Sequence, residues 1–265
     1  MTISNIPGVP DYECTCFKPK EHKYAVLIPI LNEGKRILAE LNRAKRYDVL
    51  KLADYIICDG NSTDGCAEPE KMKKRGVNTL LVKLGPGKQG AQLRMGIHYA
   101  LERGYKGIIT VDGNHKDSIE DVAGMIQKLE EGYDLIQGSR FIKGGHAIRT
   151  PLSRLIAVRC IHAPIISLTA GKHYTDTTNA FRGYSSAYLS DPKVAPLRDI
   201  FIGYELLAYL SVRANQLGYK STEIPVTRRY PEKSKEKTPT KIHGFKGNQE
   251  LLKILMKNAL GQYRP

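Results

Sequence analysis

Tyr24-Ala-Val-Leu-Ile-Pro-Ile-Leu-Asn-Glu33 is a run of apolar, partly β-branched residues that ends in an amide and a carboxylate. It alternates too little for a half-exposed strand, so residues 24–31 read as a strand buried on both faces, as in a parallel sheet covered by helices. Asn32 is placed to cap a following helix, in which Ile37, Leu38, Leu41 and Ala44 recur at helical spacing. Two later blocks repeat the arrangement: Ile56-Ile-Cys-Asp-Gly-Asn-Ser-Thr-Asp-Gly65 and Ile108-Ile-Thr-Val-Asp-Gly-Asn-His115. Three strands with polar tips pointing one way put Glu33, Asp59 and Asp112 on the rim of a ligand crevice at a sheet edge. Such a rim repels bare phosphates and suits a ribose, a base edge and a metal ion.

Outward from these blocks, strands are predicted at 55–58, 79–82, 107–111 and 133–137, with helices at about 89–103 and 118–131 between them. The alternation predicts an α/β fold with a doubly wound, mostly parallel sheet. After Gly138 the pattern changes to a Gly- and Arg-containing loop, then a helical stretch over 151–170 that Pro164 is expected to break. An amphipathic helix over 201–217, a strand over 220–226, a basic segment and a last helix near 248–260 complete the chain.

At 265 residues and 41% hydrophobic content, the chain is long enough for one large globular domain. Its formal net charge of +14 favours anionic partners such as nucleotides, lipid phosphates or a membrane surface. Nucleic acid is disfavoured, because acidic strand tips oppose it and aromatics do not interleave with the basic runs. Cys14, Cys16, Cys58, Cys66 and Cys160 show no zinc spacing and are odd in number, which fits a reducing, cytoplasmic compartment. The first 23 residues lack a signal-peptide pattern, and no apolar stretch is expected to span a bilayer.

Asp112-Gly-Asn114-His115 carries the chemistry most directly. A carboxylate with a second oxygen two residues on, at a strand end, suits Mg²⁺ or Mn²⁺ held against a diphosphate. Asp59 would accept bonds from a base or ribose, and Lys88 and Arg94 could touch phosphate or sugar. Gly85-Pro-Gly-Lys88-Gln-Gly lacks the spacing of a P-loop, and no Gly-x-Gly-x-x-Gly follows the first strand.

In order and spacing these blocks resemble the inverting GT-A glycosyltransferases of family 2, and among them the dolichol- and polyprenyl-phosphate mannose synthases. The resemblance spans roughly residues 24 to 235 and includes Ile28-Pro-x-x-Asn32-Glu33, Gly138-Ser-Arg140-Phe, Asp176-Thr-Thr-Asn179-x-Phe-Arg182, Gly203-Tyr-Glu205 and Lys233-Ser-Lys235. It implies a Rossmann-like GT-A domain over 24–235, flanked by an N-terminal extension at 1–23 and a basic helical extension at 236–265. It further implies that Pro29, Asn32, Glu33, Asp59, Lys88 and Asp112 hold the nucleotide, and that Asp112 and residue 114 bind metal and diphosphate. Arg140, Arg154, Arg182, Arg229 and Lys235 would surround the donor diphosphate and an acceptor phosphate. The chain departs from the family where Asn114 replaces the usual second acid and Lys116 the usual Gln, leaving His115 or Asp117 to complete the metal site.

The implied reaction moves a sugar from a nucleotide-diphosphate sugar to a polyprenyl-phosphate-type acceptor. A phosphate acceptor needs no base, and Asp112 and Arg140 would act electrostatically. A sugar-hydroxyl acceptor would need one, with Glu205 the candidate and Asp176 the reserve. The apolar and basic stretch 151–170, beside Lys233 to Lys246, suits a peripheral position at the inner membrane face.

Overall fold

The computed structural model describes residues 1–232 and 244–265. In chain order the elements are β1 (Thr2–Ile3), β2 (Tyr12–Cys16), β3 (Tyr24–Ile30), α1 (Lys35–Arg46), β4 (Asp54–Asp59), α2 (Pro69–Lys74) and β5 (Thr79–Lys83). There follow α3 (Gln89–Glu102), β6 (Gly107–Thr110), α4 (Val122–Glu130), β7 (Leu135–Ser139), β8 (His146–Ile148), α5 (Leu152–Ile156) and α6 (Ala163–Ala170). Last come β9 (Arg182–Ser185), α7 (Ser186–Ser190), α8 (Glu205–Gln216), β10 (Ser221–Pro225), β11 (Thr227–Arg229) and α9 (Gly244–Ala259).

Nine strands form one sheet in the order β1-β2-β5-β4-β3-β6-β9-β7-β10, and β8 pairs with β11 beside it. β5, β4, β3 and β6 are parallel, as is the β7–β10 pair, while β9 runs against both its neighbours and β2 against β5. The chain leaves β3 in one direction for β4 and β5, then returns to β6 on the other side. The order therefore reverses at β3 and β6, where an open α/β sheet binds its ligands.

Pro29 sharpens this opening. The Leu27 carbonyl accepts from Val111 N–H, so β3 positions 27 and 29 face β6, but the ladder ends at the Leu27–Thr110 pair. Pro29, lacking an N–H, lies just past it and costs the sheet no bond. Gln92 of α3 clamps the other side, donating to the carbonyls of Ile30 and of Cys58 (2.8 Å).

Two apolar layers enclose the sheet. On one, Ile37, Leu41 and Ala44 of α1 pack with Val26, Ile28 and Ile57. On the other, Leu93 and Ile97 of α3 pack with Leu27, Ile56 and Cys58. Each fully buried Ile or Leu contributes roughly 1.5–3 kcal/mol.

Four local expectations are corrected. Asn32 is not a helix cap: Gly34 occupies the cap of α1, and Asn32 has a left-handed φ of 53°. The expected N-terminal extension supplies β1 and β2 to the main sheet, and α9 buries Ile254 and Leu255 in the same core as α6 and α8. Pro164 does not break the 151–170 helix. A π-helical turn over Ala157–His162 loosens the ladder just before it, Pro164 falls in the first turn of α6, and Leu152–Ala170 runs as 19 helical residues. By length and composition that helix could cross a membrane, and only 17% of its most apolar window is buried.

Candidate active site

The crevice is built from loops at the carboxyl ends of β3, β4 and β6. Two of them are stitched together: Thr63 N–H donates to Asn32 Oδ1 (2.8 Å), Asn32 N–H to Ser62 Oγ (2.9 Å) and Gly34 N–H to Asp64 (2.8 Å). Asp59 accepts from the Ser62 N–H and hydroxyl, shaping its own turn, while burial raises its carboxyl above the ordinary range. Glu33 is buried and paired with Arg36 at 3.0 Å. Asn32, Glu33, Arg36, Ala39 and His115 line a cavity of about 480 Å³ on the α1 side.

Asp112 sits where β6 ends. Gly113 must be glycine, because a Cβ there would lie 2.5 Å from Ile30 Cγ2. Asp112 Oδ1 accepts from Gln89 (3.1 Å), and Oδ2 from Asn114 Nδ2 (3.2 Å) and from Arg228 (2.9 Å). Burial would raise this carboxyl, but the Arg228 and Lys116 cations outweigh it and hold it below its usual range.

Arg228, and not the neighbouring Arg229 that the resemblance implies, is the central cation. Its guanidinium joins Asp112 to the fully buried Asp117 and reaches Asn179 Oδ1 at 3.3 Å. Burial disfavours its charge, yet Asp117 and then Asp112 hold it above its ordinary pKa. Backbone bonds fix it: Ser118 N–H donates to Thr227 O (2.9 Å) and Arg229 N–H to Lys116 O (2.7 Å). Arg229 itself is exposed.

Lys116 is buried, with its ammonium 4.9 Å from the centre of the Tyr230 ring. Burial, then the Arg228 charge, push it down to about 7. Arg154 of α5 donates to the Tyr230 hydroxyl at 2.7 Å, so Tyr230 spaces two cations along the crevice. The Tyr204 phenol is pushed up to about 12 by burial and then by the Asp112 charge, with Arg154 opposing.

Other expected residues stand elsewhere. His115 has a left-handed φ of 58° and bonds buried Glu40 (2.7 Å), not Asp112. Burial pushes Glu40 up to about 7 despite that bond. Arg182 is 1% exposed and saturated within the fold by the carbonyls of Thr177, Asn179 and Leu207 and by Ser211 Oγ, so it does not reach a phosphate. Arg140 is buried in a bidentate pair with Asp176 (2.6 and 2.9 Å) and holds the 176–179 turn in place. That pair engages both carboxylate oxygens of Asp176, the reserve base of the sequence reading. Glu205 accepts from Gly203 N–H at its own helix start, and its charge reaches Tyr263. Lys88 caps α3 and pairs at the surface with Glu250 (3.5 Å). Arg94 is buried against the carbonyls of Gly8 and Phe201, away from the crevice. Lys235 lies outside the described residues.

The residues fit a divalent cation. Asn114 Oδ1 is buried and has no hydrogen-bond partner, while the amide nitrogen of the same side chain donates to Asp112. A carboxylate and an amide oxygen are the donor types that Mg²⁺ and Mn²⁺ prefer.

The mostly parallel sheet with its crevice at the switch point is the fold of a GT-A glycosyltransferase. The family model for glycosyl transferase family 2 matches residues 25–197, and the chain belongs to that family. Polyprenol monophosphomannose synthase of Mycolicibacterium smegmatis is 23% identical over 212 residues, 76% of each chain. Undecaprenyl-phosphate 4-deoxy-4-formamido-L-arabinose transferase of Edwardsiella ictaluri is 25% identical over 76% of this chain, which spans only 58% of that relative. Among solved structures, glucosyl-3-phosphoglycerate synthase of Mycobacterium tuberculosis, crystallised with Mn²⁺, UDP and phosphoglyceric acid, superimposes with a TM-score of 0.61. It covers 89% of this chain and 78% of its own at 14% identity, a likeness of fold.

Proposed function

We propose that this enzyme transfers a sugar, with inversion, from a nucleoside-diphosphate sugar to a polyprenyl-phosphate-type acceptor at a membrane surface. The observation that carries the acceptor class is α5. It brings Arg154 to the crevice while leaving Leu152 71% and Ile156 52% exposed, so a phosphate-binding cation and an apolar surface share one short helix. Leu168, further along the same 19-residue helical run, is 83% exposed. A lipid tail along that face would put its phosphate at Arg154, and the polyprenyl-phosphate relatives support the same reading.

In this mechanism the acceptor phosphate oxygen attacks the anomeric carbon. The bond to the diphosphate breaks and its electron pair leaves with the nucleoside diphosphate. No proton need be removed, so positioning and charge do the catalysis. Asn32, Glu33 and Asp59 form the nucleotide end, Arg228 and Lys116 face the diphosphate, and Arg154 orients the acceptor. A divalent cation, Mg²⁺ or Mn²⁺, would be held by Asp112 and Asn114 and supplies Lewis-acid neutralisation of the leaving group. A hydroxyl acceptor is less well supported, since the carboxylates of Glu205 and Asp176 are both engaged within the fold.

The test is a matrix of GDP-, UDP-, CDP- and dTDP-sugars against polyprenyl phosphate in vesicles and against soluble sugar acceptors. A glycosyl phospholipid with release of one nucleoside diphosphate is expected. Transfer only to soluble hydroxyl acceptors would overturn the lipid-phosphate reading.

A further inference from the structure

Away from the crevice, on β2 at the far side of the sheet, two cysteines face each other. Cys14 and Cys16 share one face of the strand, and their sulfurs are 3.7 Å apart. Cys14 is buried and Cys16 exposed. The Cys16 sulfur is also 3.3 Å from the Tyr99 hydroxyl, 4.0 Å from Thr79 Oγ1 and 3.8 Å from an Arg103 guanidinium nitrogen. Arg103 is held over the Tyr99 ring at 4.4 Å. Beside the sulfur opens a cavity of about 330 Å³ whose lining includes Cys16, Lys18, Lys20, Tyr99, Arg103 and Tyr105. Three of those six side chains are cationic. The glycosyltransferase reaction uses none of these groups.

We propose that Cys14 and Cys16 form a thiol-exchange site for a small anionic disulfide, with Cys16 the attacking sulfur and Cys14 the resolving one. The two thiols are already differentiated for those roles. Burial works against a Cys16 thiolate, but the bonds from Tyr99, Cys14 and Thr79 and the Arg103 charge hold that thiol below its ordinary value. Burial, then the charge of Cys16, pushes Cys14 up to about 11. An exposed, cation-flanked thiol is the reactive kind, and a buried one reacts when a sulfur is delivered to it.

The chemistry balances without a further reagent. The Cys16 thiolate attacks one sulfur of the small disulfide; a mixed disulfide forms, and the other half leaves as a thiolate that takes a proton from water. Cys14 then loses its proton to solvent and attacks the Cys16 sulfur. The Cys14–Cys16 bond closes and the second half departs as a thiol. Two protein thiols are oxidised and one small disulfide is reduced. Residues two apart on a strand have Cα atoms about 6.7 Å apart, near the upper limit a disulfide spans, so the bond formed is readily reduced again.

The experiment exposes the whole, reduced protein to oxidised glutathione, a dianion, and in parallel to cystamine, a dication. Intact mass and peptide mapping follow each thiol, with exposed Cys160 as the internal control. Wild type should lose the Cys14 and Cys16 thiols together without retaining an adduct. Cys14→Ser should keep one glutathione on Cys16. Cys16 should react roughly tenfold faster than Cys160, and faster with the anionic probe than with the cationic one. Equal rates at Cys16 and Cys160, equal rates with both probes, or a stable adduct on Cys16 in wild type would overturn the proposal. The wild-type measurement stands even if a variant folds poorly.

Discussion

Arg228 Nη2 and Asp112 Oδ2 lie 2.9 Å apart although the two residues are 116 positions apart in the chain. The contact closes the crevice between the end of β6 and β11, and it balances the acidic strand tip with an internal cation. The same guanidinium also pairs with Asp117, so one side chain balances two acids of the candidate site. Replacing it by Ala should cut kcat/KM roughly 100- to 1000-fold, the usual cost of losing one preorganised charge partner. It should also cost roughly 3–5 kcal/mol of stability by leaving two carboxylates unpaired. Lys at this position keeps the charge but cannot fork across both acids. Its activity should lie between the two in steady-state assays, and full activity of Arg228→Lys would refute the forked role.

The unpartnered Asn114 Oδ1 leads to a second expectation. Asn114→Asp adds a carboxylate beside Asp112 and should tighten divalent-cation binding about tenfold, read by Mn²⁺ titration with electron paramagnetic resonance. The extra charge also crowds Asp112, so melting temperature without metal should fall and recover on adding Mn²⁺. If neither affinity nor the metal-dependent recovery changes, the cation is not held at residues 112 and 114.

Lys116 should take up a proton when donor binds. At pH 8 its pKa of about 7 leaves it mostly neutral, and a diphosphate placed near it favours the charged form. Calorimetric titration with the nucleoside diphosphate, in buffers of differing ionisation enthalpy, should show proton uptake at pH 8 that shrinks by pH 6. Lys116→Met should abolish the uptake while still binding nucleotide weakly. Uptake unchanged in that variant would move the proton to another group.

Much of this site was legible in the sequence because parallel strands deliver their terminal residues to one edge. Asn32, Glu33, Asp59 and Asp112 follow directly from where the apolar runs stop. Arg228 was not legible because its place depends on a single bridge between Asp117 and Arg228, a contact with no local pattern. Arg182 was misplaced for the opposite reason. Its motif implied a phosphate-binding cation, but at the start of β9 it pairs with Thr110 in the sheet and its side chain runs inward to Ser211. Glu40 was hidden within a helical stripe, one residue before Leu41, and nothing in the spacing says that this face buries a carboxylate. A clearer signal lay at Cys14 and Cys16: alternation with Tyr12 marks a strand, and two residues apart on a strand means the same face.

Glu40 gives the last prediction, on stability against pH. In the folded protein its pKa stands near 7, above its ordinary value of 4.5, so between those values the native state binds more of its proton than the unfolded chain does. The stabilisation is therefore complete below about pH 4.5 and is lost as pH rises through 7. The total is of order 3 kcal/mol, since each tenfold gain in proton affinity is worth about 1.4 kcal/mol. Above pH 7 the buried carboxylate is charged, with one oxygen on His115 and the other unpartnered. Glu40→Gln keeps the size and a hydrogen bond to His115 but carries no charge. It should make stability in urea less dependent on pH from 5 to 8, with the variant gaining on wild type as pH rises. A pH profile of the same slope in both proteins would show that Glu40 does not titrate in this range.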